Sequence, residues 1–151
     1  MRYLEDISVG DKVEFGRYEV TAEEIIDYAR RYDPQPIHLD DDAAREAGLG
    51  GLIASGWHSV SIYMRMLVDH VLIGGSPMPS PGADEVRWLK PVRPGDVLSM
   101  RGEALEARPS RSKPDRGIVR WRYNMINQDG DTVMSLIGIG FVARRPQPTE
   151  S

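Results

Sequence analysis

Two side chains able to move protons stand five residues apart in the first third of the chain, in Asp33-Pro-Gln-Pro-Ile-His38. A carboxylate and an imidazole that share one water can take a proton from it and return one to a bound molecule. Pro34 and Pro36 fix two φ angles and push Asp33 and Gln35 toward extended geometry, so the segment loses little entropy in holding one shape. Taken singly, Asp33 reads as a helix-end surface carboxylate and His38 as a loop histidine bonded to backbone. The pair, its prolines and the glycine-rich stretch that follows, Gly48-Leu-Gly-Gly-Leu-Ile-Ala-Ser-Gly56, together favour a site.

The elements that must position this pair are legible on both sides of it. Lys12 to Val20 alternate imperfectly and predict a first strand or hairpin. Thr21 is a helix N-cap, with Glu24 three residues on to complete a capping box. Pro34 disfavours helix at Asp33, so this first helix ends there and aims the carboxylate. Asp40 caps a short helix over 41–47, which Gly48 closes. Ser55 is the expected N-cap of a long helix from Gly56 to about Ile73. Val60, Tyr63, Met64, Leu67 and Val71 recur at helical spacing, and Ile62, Met66 and Val68 widen the apolar arc, so neighbours should wrap this helix nearly all round.

After a Gly/Pro/Ser loop over 74–82 the period changes to that of strands, expected at 83–92, 97–107, 117–127 and 132–143. Arg93-Pro-Gly-Asp96 and Gln128-Asp-Gly-Asp131 are the turns between the outer pairs. This order predicts an α+β fold, a strongly curved antiparallel sheet wrapped around a central helix. An edge strand left open is a liability, and pairing with a second copy would cover it, so a homodimer or an assembly of dimers is expected.

Other chemistry-bearing residues have simpler accounts. His58 and His70 are twelve apart, which is not metal-ligand spacing, and read as structural. Asp40, Asp41 and Asp42 suit a helix start, and no second His or Cys stands near to complete a metal site. Met64, Met66, Trp57 and Tyr63 read mainly as core, with some beside the site.

The 151 residues suit one domain, taken as residues 1–145, with 146–151 a polar, proline-broken tail expected to fray. With no cysteine, disulfides and thiolate metal sites are excluded, and a cytoplasmic compartment fits. A net charge of −4 argues against a nucleic-acid binder. No signal peptide and no apolar run of membrane length is present, so no membrane partner is expected.

The segment Asp33-Pro-Gln-Pro-Ile-His38-Leu-Asp, followed by Gly51-Leu-Ile-Ala-Ser-Gly56, resembles the MaoC-like dehydratases, the (R)-specific enoyl-CoA hydratase branch of the hotdog fold, whose motif is Asp-x-Asn-Pro-(aliphatic)-His. The resemblance continues through Trp88-Leu-Lys-Pro-Val-Arg-Pro-Gly-Asp96 and covers about Gly16 to Ala143. It implies a hotdog fold and a hydratase/dehydratase acting across the 2,3 double bond of an enoyl-CoA thioester. Coenzyme A is then part of the substrate, and neither a separate cofactor nor a metal is expected.

The family's catalytic Asp and His fall on Asp33 and His38, and its active-site serine early in the central helix falls on Ser61. Ser55, Gly56, Trp57 and Gln35 complete the expected substrate-binding set. Two positions depart from the pattern: Gln35 stands for the usual Asn, and Ser55 for a frequent His. The basic loop Arg108, Arg111, Lys113 and Arg116 would suit coenzyme A phosphates, although a solvated hairpin is the simpler account. Asp33, set in a dry wall, is expected to hold its proton more tightly than usual, with a charged His38 opposing that rise. A hotdog acyl-CoA thioesterase and a non-catalytic acyl-CoA-binding module remain the alternatives.

Overall fold

The computed structural model describes residues 2–72 and 78–148. Its elements are β1 (Lys12–Glu19), α1 (Ala22–Tyr32), α2 (Asp41–Glu46), α3 (Gly56–His70), β2 (Gly82–Trp88), β3 (Val97–Pro109), β4 (Arg116–Ile126) and β5 (Thr132–Ala143), with single 3-10 turns at Leu4–Asp6 and Pro36–His38. The strands form one antiparallel sheet in the order β1-β3-β4-β5-β2. This is the α+β hotdog plan, a curved sheet around one long helix.

The helix and the sheet meet through α3's inner face. Ile62, Tyr63, Met66 and Leu67 pack with Leu98, Met100, Tyr123, Met125, Met134 and Leu136, all buried. Each such side chain contributes about 1.5–3 kcal/mol by leaving water. A β-bulge between Phe15 and Tyr18 bends β1 over the helix. Gly16 sits in that bulge at φ 84°, and any side chain there would run into Met66.

Four expectations change. The helix that should have been wrapped all round is covered on one side only: Met64 and Val68 are 45% and 44% exposed, and Trp57, Val71 and Leu72 are exposed as well. It ends at His70, and the expected end at Ile73 lies outside the described residues, as do residues 74–77 of the expected loop. The strand expected over 83–92 ends at Trp88, because Pro91 cannot donate to a ladder and the chain turns away there. Only half of the capping box forms: Thr21 accepts from the Glu24 amide at 3.2 Å, but the Glu24 carboxylate turns away from the cap toward Tyr18 and His58.

The chain from Arg144 is tied at its start, where Arg144 and Arg145 pair with Glu5 and Asp6. Among the described residues no helix is long and apolar enough to cross a membrane.

Candidate active site

α1 delivers Asp33 as its C-cap, with the Asp33 amide bonded to the Ala29 carbonyl at 2.9 Å. Pro36 then starts one 3-10 turn that carries His38 inward, where it is only 6% exposed. The glycine-rich stretch returns alongside. The Ile53 amide bonds the Ile37 carbonyl at 3.4 Å, and the Ala54 amide bonds the Val92 carbonyl at 2.8 Å. This strap therefore lies between the proline turn and the segment that leaves β2.

Two charged side chains hold the strap. The Arg93 guanidinium donates to the Leu49 carbonyl at 2.5 Å and reaches that of Gly51 at 3.4 Å. Asp41 accepts from the Leu52 amide at 2.9 Å. These bonds were not foreseen from the sequence, where Arg93 was one residue of a turn and Asp41 one of three helix-start acids.

The pair comes together as the spacing suggested. His38 Nε2 lies 3.3 Å from Asp33 Oδ2, and His38 Nδ1 lies 2.8 Å from the Ile53 carbonyl. A carbonyl oxygen can only accept, so Nδ1 carries the hydrogen. In the neutral imidazole Nε2 is then an acceptor, turned toward a carboxylate. The two atoms need a proton between them or a donor that serves both.

Asp33 differs from expectation. Gln35 Nε2 donates to its Oδ1 at 2.7 Å, and the Ser55 hydroxyl donates to its Oδ2 at 2.7 Å. These two bonds, Gln35 first, hold the carboxyl below its ordinary range, and a charged His38 adds to them. Burial opposes but loses, since the side chain keeps 20% exposure. The raised value expected from a dry wall is thus corrected: donors, not desolvation, dominate.

Ser55 occupies the N-cap position of α3, but its hydroxyl makes no cap bond because it is on Asp33. Among the described residues the amides of Gly56 and Trp57 have no hydrogen-bond acceptor, so a 15-residue helix presents free N–H groups beside the pair. Gly56 is obligatory there. The Trp88 indole lies against it and donates to its carbonyl at 2.9 Å, and any side chain at 56 would strike the ring. Trp57 packs edge-on to Trp88 at 5.3 Å.

Asp33, Gln35, His38, Ser55, Gly56 and Trp57 thus share a cavity of about 430 Å3, whose apolar wall includes Ile53, Ala54, Trp88, Leu89 and Val92. Ser61 does not join it. Its hydroxyl bonds the Trp57 carbonyl at 2.9 Å one turn back, and it lines a separate groove between α1 and α3. The helical repeat explains this, because Ser59 is the α3 serine that faces the cavity, and position 61 is rotated away from it.

The basic loop at the β3–β4 hairpin has two of its four basic side chains paired, Arg108 with Glu106 and Arg116 with Asp115. It lies at the end of the sheet opposite Met125 and Met134, which neighbour Trp88. At the start of β2, Ala83 and Asp84 pair with Gly138 and Ile137 of β5, away from the cavity segment 88–92.

The groove holds a second polar cluster. Tyr18 bonds Glu24, and Glu24 Oε1 lies 3.5 Å from His58 Nε2. The Tyr28 ring stacks on His58 at 4.6 Å. His58 is buried as the structural reading required, yet among the described residues its Nδ1 has no hydrogen-bond partner. Burial holds the imidazole below its ordinary range, against the opposing pull of Glu24.

Comparison with known proteins bears on the fold and the family. Over residues 6–121 the chain matches the family model described as the MaoC like domain. It is 42% identical to a MaoC-like dehydratase from Rhodospirillum rubrum whose crystal structure covers 97% of this chain and 100% of its own, at a TM-score of 0.89. An Archaeoglobus structure named a monoamine oxidase regulatory protein is 29% identical, covers 96% of each chain and superposes at a TM-score of 0.84. The (R)-hydratase PhaJ1 from Pseudomonas aeruginosa, at 23% identity, covers 95% of this chain and 86% of its own with a TM-score of 0.71, which is likeness of fold. With a family match that spans both Asp33 and His38, the chain belongs to the MaoC-like domain family.

Proposed function

We propose that the cavity adds water to, or removes it from, the 2,3 double bond of an enoyl-CoA thioester, with Asp33 and His38 activating the water. The observation that carries this reading is the 3.3 Å approach of His38 Nε2 to Asp33 Oδ2 in a largely apolar pocket. Hydration needs a nucleophilic oxygen at C3, a proton for C2 and positive potential at the thioester oxygen. Two adjacent acceptors suit the first need: a water that gives one hydrogen to each keeps its lone pairs free to attack. The free amides of Gly56 and Trp57 at the start of α3 suit the third, because the helix terminus stabilises developing negative charge. The apolar wall accepts the acyl chain.

Crotonyl-CoA, then longer and branched enoyl-CoA thioesters, should lose the absorbance of the conjugated double bond on addition of the protein. Full turnover in both Asp33→Asn and His38→Ala would refute the assignment. A thioesterase would release free thiol instead, which a thiol reagent detects. A non-catalytic module of the family would bind the thioester without either signal.

The working unit is a homodimer in this reading. Trp57, Met64, Val68, Val71 and Leu72 leave an apolar strip along the outer side of α3, and Trp88 and Leu89 continue it at the β2 edge of the sheet. A second copy would cover both the strip and the edge. Sedimentation at micromolar concentration checks it. The cysteine-free chain suits a reducing cytoplasm.

A further inference from the structure

We propose that Ser55 and Gln35 are positioning residues that hold Asp33 as a fixed carboxylate, so that His38 alone carries the proton between water and C2. This rests on the hydration reading above and divides the labour within the pair. Each Asp33 oxygen already accepts a short bond, Oδ1 from Gln35 and Oδ2 from Ser55, both at 2.7 Å. Bonds from neutral donors to a carboxylate are charge-assisted and favour the ionised form. The low proton affinity of Asp33 points the same way. A carboxylate so held is a weak base and a good anchor.

Both donors are built for this task. Ser55 is 1% exposed, and at the N-cap of α3 its hydroxyl would ordinarily accept from the helix amides; here it donates to Asp33 instead. Gln35 is extended at φ −79°, ψ 141° between two prolines, and its longer side chain lets the amide fold back onto the residue two before it. The substitution of Gln for the motif's Asn therefore supplies a bond rather than losing one.

His38 has the opposite setting. Its ring is fixed by the Nδ1–H bond to the Ile53 carbonyl, and Nε2 is left toward the cavity and Asp33 Oδ2. The remaining charged side chain that lines the cavity, Lys90, is paired with Asp131 at 3.1 Å. In the hydration direction Nε2 takes a proton from water as the water oxygen bonds to C3, and the π electrons move onto the thioester oxygen. The same Nε2–H then protonates C2 as the enolate collapses. Water is added in full and His38 ends neutral; dehydration runs the steps in reverse. Asp33 stays ionised and stabilises the imidazolium between the two transfers.

Ser55→Ala, Gln35→Leu and the hydroxyl-retaining Ser55→Thr separate this from other roles. Two readouts are needed: the pH profile of kcat and KM for crotonyl-CoA, and the titration of the Asp33 carboxyl followed by 13C NMR of labelled aspartate. Ser55→Ala and Gln35→Leu should each lower kcat roughly tenfold to a hundredfold through misplacement, with KM little changed. They should shift the Asp33 titration upward yet leave the acid limb of kcat/KM where the wild type has it, and Ser55→Thr should recover both. An acid limb that moves up together with the Asp33 titration would make Asp33 the proton carrier and overturn the proposal. So would an unmoved Asp33 titration, or an effect confined to KM. If the wild type hydrates no enoyl-CoA, the hydration reading fails, while the NMR titration still decides whether Ser55 and Gln35 hold the carboxylate.

Discussion

Asp33–His38 and Glu24–His58 are two carboxylate–imidazole pairs of similar reach, 3.3 Å and 3.5 Å, and both imidazoles are buried. Their second ring nitrogens differ. His38 Nδ1 is bonded to a backbone carbonyl, which sets its tautomer and aims Nε2, whereas His58 Nδ1 has no partner among the described residues. Their carboxylates differ too. Asp33 is held by two donors in a cavity with an apolar wall, while Glu24 takes the Tyr18 hydroxyl in a groove rimmed by Asp27, Arg30, Arg31 and Arg65. Proximity of an acid and a base is therefore cheap in this fold; the two pairs differ in how third parties orient them, which is what the proposed proton transfer at Asp33 and His38 requires.

The strongest way to break this comparison is to remove one imidazole at a time. His38→Ala should lower kcat on the order of 10²–10⁴-fold, as loss of a positioned acid–base group does. His58→Phe, which keeps an aromatic ring under Tyr28, should stay within roughly tenfold of wild type, since its effect reaches the site only through packing. Steady-state hydration of crotonyl-CoA measures both. Comparable losses in the two variants would erase the distinction.

The walls of the two regions offer a second contrast. Gly56→Ala places a methyl against the Trp88 indole and its bond to the Gly56 carbonyl. Such overpacking costs about 1–3 kcal/mol, which lowers the melting temperature by roughly 2–4 °C per kcal/mol in a chain of this length. Turnover should fall as well, because the same amide faces the cavity. Thermal melts and activity assays on one preparation report both.

What could be read in advance follows from where the information lies. The pair was legible because prolines, a short spacing and a helix end are local. The strands from Val97 onward were legible because alternation and Asp-Gly turns are local too. The early end of β2 at Trp88 was marked locally as well, by Pro91, but the alternating pattern over 83–92 hid it. The low proton affinity of Asp33 was not legible, because it requires the Gln35 side chain to fold back onto Asp33 and Ser55 to return from 22 residues away. Ser61 shows the limit of carrying a role over by position. Two residues rotate a helical side chain by about 200°, and the structure puts Ser59, not Ser61, on the cavity side.

Acid sharpens the comparison further, because His58 and Asp33 titrate in different windows. Burial depresses His58 from its ordinary 6.5, so the folded chain binds that proton less readily than the unfolded one. Its contribution to stability is complete above 6.5 and falls as the pH drops from there toward the depressed value. Asp33 is depressed from 3.8, so its contribution is complete above 3.8 and is lost only as the pH falls through the lower folded value. Urea unfolding at pH 7, 6 and 5 should show declining stability in the wild type and a flatter profile in His58→Phe. Equal slopes would show that His58 finds a partner in solution.

The smallest expected effect belongs to Ser61→Ala. The hydroxyl is exposed and bonds only the Trp57 carbonyl of its own helix, so its loss should change stability by no more than about 0.5 kcal/mol, as for most surface changes. On the groove side it should also leave turnover within about twofold, since no reacting group contacts it. Ser59→Ala is the informative control, because that side chain is buried and faces the cavity. A larger loss in Ser61→Ala than in Ser59→Ala would mean that substrate runs through the α1–α3 groove, and the division between the two carboxylate–imidazole pairs would have to be redrawn along the substrate rather than along the protein.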